Sequence, residues 1–185
     1  MKRLFTILFS LMLTVTLFAQ NDVTTFLGIP VDGSKSEFIQ KLKSKGFRLD
    51  PQYEILTGIF NGQESMISIK ENNGLVCRVA VTQKTVRDET QVRLAFNKLT
   101  EQFNQNNRYV ASDNNYYLND REQIGFGIKL HHKQYENHFF QKNKDDGKPD
   151  FNKNVWILIS SPEYEEYLLT IIYDNEYNMP NGNDL

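Results

Sequence analysis

The sequence predicts an α+β fold of two layers, in which two helices pack on one face of an antiparallel sheet. Two segments carry helix-capping residues followed by apolar residues at helical spacing. Most other apolar residues alternate with polar ones, which is typical of half-buried strands. The first strands are separated by turns too short for the crossover that parallel strands need. Helices and sheet therefore form separate layers around one core.

The first helix is predicted over residues 34–45. Ser34 and Glu37 fit a capping box, in which each side chain satisfies a free backbone N–H at the helix start. The residues that follow form one apolar stripe surrounded by lysines. Gly46 supplies the left-handed conformation that commonly ends a helix.

A meander of three strands is predicted to follow, over residues 53–60, 65–70 and 75–82. Asn-Gly at positions 61 and 62 is a strong hairpin signal, since both residues tolerate positive φ. A second turn falls at residues 72–74. The short connections require antiparallel neighbours.

The second half repeats this order, with a helix that begins near Asp88 and ends within residues 104–107. Alternation and apolar runs then predict three to five strands, over residues 115–118, 124–131, 135–141, 155–160 and 167–173. We expect a polar loop over residues 142–150, and Pro162 to end the fourth of these strands.

The chain divides into a signal peptide over residues 1–19, one α+β domain over 20–177 and a frayed tail over 178–185. The repeated order of a helix and a meander suggests two related α–β units, over residues 26–84 and 87–177. No residue-by-residue repeat accompanies that order, so duplication is a hypothesis.

The N-terminus has the pattern of a signal peptide. A lysine and an arginine precede a charge-free stretch over residues 4–18, which is shorter than the roughly 20 residues of a membrane span. We expect cleavage after Ala19, although Leu17 is larger than the residue usual at that position. The alternative is an uncleaved N-terminal anchor. Cleavage predicts a periplasmic or secreted protein.

The only cysteine is Cys77, far from the predicted cleavage site. This position excludes a lipid anchor attached at the cleavage site, and a lone cysteine excludes an internal disulfide. Alternation places Cys77 on one strand face with Leu75, Val79 and Val81. The favoured interpretation is a small buried hydrophobe, and the alternative is a reactive thiol.

The formal net charge indicates which classes of partner the chain can bind. Loss of the two basic residues of the signal peptide lowers the formal net charge from −2 by two, to −4. Nucleic acid is a poor partner for such a chain, so none is expected, because phosphate contacts need a basic face. No second apolar run is long enough to span a membrane.

Residues 26–47 resemble the opening of a group of uncharacterised exported proteins from Bacteroidetes, and the Phe-Ala-Gln at the end of the signal is similar to theirs. The order of helix and meander also resembles the folds of β-lactamase-inhibitor proteins and outer-membrane-assembly lipoproteins. The resemblance implies a binding module instead of an enzyme. It transfers no functional residue, and the missing lipidation cysteine departs from the assembly-lipoprotein pattern.

Three histidines and one carboxylate are close in sequence: His131, His132, His138 and Glu136. A metal needs ligands that converge on one point. His131 and His132 are neighbours on a predicted strand, so they point to opposite faces and at most one can join His138. Ordinary strand histidines are therefore the favoured interpretation.

Asp145, Asp146 and Gly147 resemble part of a calcium loop. With Gly147 at the sixth position, Lys142 and Lys144 occupy positions where such a loop needs carboxylates. A solvated turn is favoured.

Glu163, Glu165 and Glu166 form the densest carboxylate cluster. Paired carboxylates perform acid–base chemistry at defined separations. Their place at a strand start after Pro162 favours a solvated charge cluster instead.

Four tyrosines are the candidate binding residues: Tyr116, Tyr117, Tyr164 and Tyr167. The first two lie in an asparagine-rich segment, and the second two flank a predicted strand edge. Exposed tyrosines favour recognition surfaces. The alternative is that they cover the core of the sheet.

No catalytic, cofactor or phosphate-binding motif occurs in the chain. The leading hypothesis is an exported, non-catalytic module that recognises a protein or peptide. One alternative is a hydrolase whose site is assembled from distant residues, such as His131 or His138. Another is an immunity or inhibitor protein against a secreted toxin. The sequence leaves the oligomeric state open.

Overall fold

The computed structural model describes residues 22–180 and residue 182. Residues 1–21 (which include the predicted signal peptide), residue 181 and residues 183–185 lie outside the described part. The helices are α1 (Lys35–Ser44), α2 (Glu89–Gln105) and α3 (Ile124–His131), with a 3₁₀ turn at Glu176–Asn178. The strands are β1 (Thr25–Phe26), β2 (Ile29–Pro30), β3 (Arg48–Asp50), β4 (Ile55–Phe60), β5 (Gln63–Asn72), β6 (Leu75–Gln83), β7 (Tyr109–Ala111), β8 (Tyr135–Lys142), β9 (Pro149–Glu163) and β10 (Glu166–Asp174).

Eight of the strands form one antiparallel sheet in the order β3-β4-β5-β6-β10-β9-β8-β7, and β1 pairs separately with β2. The chain therefore builds the large sheet from its two outer edges toward the middle, where β6 pairs with β10. The two outermost strands, β3 and β7, are each only three residues long. The predicted α+β class with an antiparallel sheet is confirmed.

The helix caps form where the sequence predicts them, but the capping box at α1 is only half made, since no hydrogen bond from the Ser34 N–H to Glu37 occurs among the described residues. The Ser34 hydroxyl accepts the backbone N–H of Glu37 at the start of α1. At the start of α2, Asp88 and Gln91 form a complete capping box. Such caps satisfy backbone N–H groups that have no partner inside the helix, so they fix where each helix begins.

One face of the sheet is buried under the helices. A row of paired residues crosses six strands on this face, and all six side chains are buried: Leu56, Ile67, Val81, Ile171, Ile157 and Asn137. The apolar stripes of α1 and α2 join the same core through residues such as Phe38 and Phe96. The described helices are all too short or too polar to cross a membrane.

Three parts of the secondary-structure prediction are wrong. Residues 124–131 form the helix α3 instead of a strand, so the described part of the chain contains three α-helices and not two. Residues 115–118 are not a strand. Pro162 does not end β9, which continues to Glu163 near the tip of its hairpin. The prediction also lacks the short strands β1, β2, β3 and β7.

Side-chain amides explain why residues 115–118 are not a strand. The Asn97 amide pairs with both the N–H and the carbonyl of Leu118, each at 2.8 Å. The Asn137 amide does the same for Tyr116, at 3.0 and 2.8 Å. The segment therefore satisfies these backbone groups with side chains, and it needs no neighbouring strand.

Asn178, the first residue of the predicted tail, is anchored to the domain. Its side-chain amide donates to Asp32 Oδ1 at 2.8 Å and to the Val76 carbonyl at 2.9 Å.

Candidate functional site

The sheet face opposite the helices is the most extensive candidate surface. We call it the open face, because all three described helices pack on the other side of the sheet. Two neighbouring rows cross it, one from Thr57 to Glu136 and one from Ala80 to His138. Their members are Thr57, Met66, Thr82, Thr170, Leu158 and Glu136 in the first row, and Ala80, Ile172, Trp156 and His138 in the second.

A buried carboxylate organises the centre of this face. Asp174 accepts two hydrogen bonds from Arg78, to Nε at 2.6 Å and to Nη2 at 2.9 Å. It also accepts the indole N–H of Trp156 at 2.8 Å. The hydrogen bonds to Asp174 raise the pKa of Arg78 above its ordinary value, so this side chain stays charged.

Planar groups stack next to this carboxylate. The guanidinium carbon of Arg78 lies 5.5 Å from the centre of the Trp156 ring. The His138 ring is nearly parallel to Trp156, with 5.6 Å between centroids and 10° between planes. We call Arg78, Asp174, Trp156 and His138 the open-face cluster. Its hydrogen bonds hold an Arg and a Trp in fixed positions on a partly exposed surface.

Three members of this cluster are not among the candidates predicted from the sequence: Arg78, Trp156 and Asp174. They lie on three different strands, and only the pairing of β6 with β10 and of β10 with β9 brings them together. The one available signal was that Trp156 is the only tryptophan of the chain, because the continuous apolar run at residues 155–159 does not show which side chains face outward.

The histidines do not converge. His138 lies on β8, where its Nε2 is 3.2 Å from Glu136 and its Nδ1 is 3.2 Å from Asn154. His131 and His132 lie at the end of α3, and His132 ends it in the left-handed conformation. The argument that they occupy opposite faces of a strand is therefore wrong. Among the described residues, no group of three His, Cys, Asp or Glu side chains could hold a metal.

The four candidate tyrosines fall into two pairs near different ends of α2. Tyr117 is exposed and donates its hydroxyl proton to Glu101, whereas Tyr116 is partly buried against Phe96. Tyr164 is 75% exposed, and the Lys129 Nζ lies over its ring, 4.1 Å from the ring centre. Tyr167 is only 2% exposed and reaches Glu89. About 18 Å of helix separates Glu101 from Glu89, so the structure does not bring the four together.

The two acidic segments lie in turns. Glu165 adopts a positive φ of 58° in the turn between β9 and β10, with Glu163 and Glu166 as the facing residues of the two strands. Asp145 and Asp146 are exposed in the turn between β8 and β9.

Cys77 is fully buried at an irregularity of the β5–β6 pair. The register moves two residues along β6 for one along β5 at this point, so Cys77 is the extra residue. Both Val76 and Cys77 are buried as a result, whereas Leu75 is exposed. The expectation that Leu75 shares the buried face is therefore wrong. Burial raises the pKa of the Cys77 thiol.

We predict that Cys77 is unreactive in the folded protein at pH 8. A buried thiol with a raised pKa forms little thiolate, which is the reactive species. Less than about one-tenth should react with a chromogenic disulfide reagent in the time that suffices for complete reaction in guanidinium chloride. Rapid stoichiometric labelling of the folded protein would contradict this.

No protein-family model, curated protein or solved structure matches this chain.

Proposed function

We propose that this chain is an exported, non-catalytic binding module that recognises a protein or peptide through the open face of its sheet. The observation that carries the proposal is the open-face cluster. Its Arg and Trp side chains are held by a buried carboxylate and remain in contact with solvent.

Energetic centres of protein interfaces are enriched in Trp, Tyr and Arg. A side chain that is already ordered loses less conformational entropy on binding, so a fixed anchor contributes more to affinity. Both properties describe Arg78 and Trp156.

The surroundings of the cluster support the same function. Met66, Ala80 and Leu158 are partly exposed on the open face, and Ile172 lies between Ala80 and Trp156. Apolar side chains around a polar centre exclude water when a partner binds, which strengthens the central contacts.

The test compares the purified protein with an Arg78→Ala/Trp156→Ala variant. A partner that the protein retains from an envelope extract of the source organism is isolated and titrated against both. Loss of two anchors should weaken binding by about 100-fold or more. Because Trp156 is the only tryptophan, a change in its emission on addition of the partner would place the contact on this face.

Two controls make the result specific. Tyr164→Ala removes an exposed aromatic outside the open face and should bind as the unmodified protein does. Met66→Glu puts a charge on the open face without touching the cluster, and should weaken binding in a protein that still unfolds cooperatively. Equal affinity of the double variant and the unmodified protein would refute recognition through this face.

We propose further that residues 1–19 direct export and are removed near Ala19, which leaves a periplasmic or secreted protein. The basic start, the charge-free stretch and the rise in polarity after Ala19 support this. The mass of the intact protein recovered from the cell envelope tests it. A mass that includes residues 1–19 would favour the uncleaved anchor.

We also propose that residues 26–84 and 87–177 are two related α–β units. In each unit a capped helix precedes four strands of the large sheet, and the last strands of the two units, β6 and β10, pair with each other. In this view α3 is an insertion between the first two strands of the second unit.

A further inference from the structure

A cavity of about 460 Å³ lies on the helix side of the sheet, away from the open-face cluster. It is a groove open to solvent and bordered by the turn between β1 and β2, the end of β4, α2 and β10. Six apolar side chains line it: Leu27, Ile59, Phe60, Leu99, Phe103 and Ile171. This volume and lining are in the range of small-molecule sites.

The polar lining of the cavity contains one cation and no carboxylate. Among the residues that the structure describes, Arg108 is the only charged one that lines it, beside the amides of Asn61, Gln102 and Asn106. Within residues 22–180, no carboxylate lies within 4.0 Å of Arg108. The Arg108 guanidinium is placed over the Tyr109 ring, 5.8 Å from its centre.

A hydrogen bond across the cavity defines its wall. The Asn61 side-chain amide, in the β4–β5 turn, donates to Gln102 Oε1 of α2 at 2.8 Å. This contact joins the turn to the helix, and both residues line the cavity. Two of the lining residues, Phe60 and Tyr173, pack against the buried Phe26 ring.

We propose that this cavity binds a small amphipathic carboxylate, an alkyl chain that ends in one carboxyl group. The carboxylate would pair with Arg108, whose planar fork matches its two oxygens. The alkyl chain would lie against the apolar lining and leave water. The absence of a lining carboxylate favours an anion over a cation, and the single cation favours one negative charge.

Decanoate is the probe, titrated by calorimetry into the purified protein. We expect a Kd below about 1 mM, with decanol binding more weakly because it lacks the charge. Arg108→Gln should weaken decanoate binding by about tenfold and leave decanol unchanged. Arg121→Gln, at another exposed arginine, is the matched control and should bind decanoate normally.

A second variant tests the apolar part of the site. Ile59 is 64% exposed, so Ile59→Glu leaves the core intact while it adds a negative charge to the lining. It should weaken decanoate more than decanol. No heat of binding at about 1 mM decanoate, or equal losses in the Arg108 and Arg121 variants, would overturn the proposal.

Binding at the cavity and binding at the open face can be refuted independently of each other. Trp156 lies on the other side of the sheet, so decanoate should leave its emission unchanged. A change in Trp156 emission that persists in Arg108→Gln would show that decanoate binds the open face, and would also overturn the cavity proposal.

Discussion

An Asp22→Asn variant will unfold with a free energy about 3 kcal/mol lower than that of the unmodified protein at pH 7. Lys153 is 1% exposed, and its ammonium is 2.5 Å from Asp22 Oδ2. Removal of the carboxylate leaves a buried charge without its counter-ion. Urea unfolding followed by Trp156 emission measures the loss.

The pH dependence of this effect has a defined sign. Burial raises the pKa of Asp22, but hydrogen bonds from Lys153 and Lys144 outweigh it, so the pKa lies below the ordinary 3.8. Such a group contributes stability above its unfolded pKa and loses it as the pH falls through the folded pKa. The difference between the two proteins should therefore close below about pH 4.

Two variants separate this pair from general charge effects. Asp113→Asn removes an exposed carboxylate and should change stability by less than about 0.5 kcal/mol. Asp22→Asn/Lys153→Met replaces the pair with neutral side chains and should recover much of the loss. If the double variant is as unstable as Asp22→Asn alone, the buried charge is not the cause.

A Gly127→Ala variant will lose about 2–3 kcal/mol of stability, although alanine is the better helix former. A methyl group at this position of α3 would overlap the Tyr135 hydroxyl and approach its ring Cζ to 3.0 Å. Tyr135 is fully buried, and its hydroxyl donates to Glu122 at 2.7 Å, so it has no room to move. Thermal and urea unfolding measure the change.

A double-mutant cycle identifies the clash as the cause. In a Tyr135→Phe background the hydroxyl is gone, and Gly127→Ala should cost at least about 1 kcal/mol less than in the unmodified protein. Equal costs in both backgrounds would refute the contact. A stabilising effect of Gly127→Ala alone would show that helix propensity dominates instead.

These glycines explain why the sequence prediction failed at α3. Gly125 and Gly127 alternate with apolar residues, which is the pattern of a half-buried strand. In the structure these positions have no room for a larger side chain, because the hydroxyls of Tyr167 and Tyr135 lie against the helix there. The group that caps the start of α3 is also distant in sequence, since the Glu89 carboxylate accepts the backbone N–H groups of Ile124 and Gly125. The residues next to position 124 therefore give no sign that a helix begins there.

The helices and strands that are marked by residues at their own ends could be predicted from the sequence. The caps at Ser34 and Asp88 place α1 and α2, and the Asn61-Gly62 turn places β4 and β5. The candidate site was not, because Arg78 and Asp174 are 96 residues apart and meet only through the β6–β10 pair. Tyrosine content indicated a surface role for Tyr167, but its ring instead fills space between β10 and the start of α2.

The outer edge of β8 affects how the protein behaves at high concentration. Beyond the three residues of β7, the side-chain amide of Asn115 takes both backbone groups of His138, at 2.8 and 2.7 Å. A side chain thus occupies hydrogen-bonding positions where a strand from another molecule would otherwise attach. Because this side chain offers no backbone on which a further strand could pair, this part of the edge resists the edge-to-edge growth that leads to aggregation at high protein concentration.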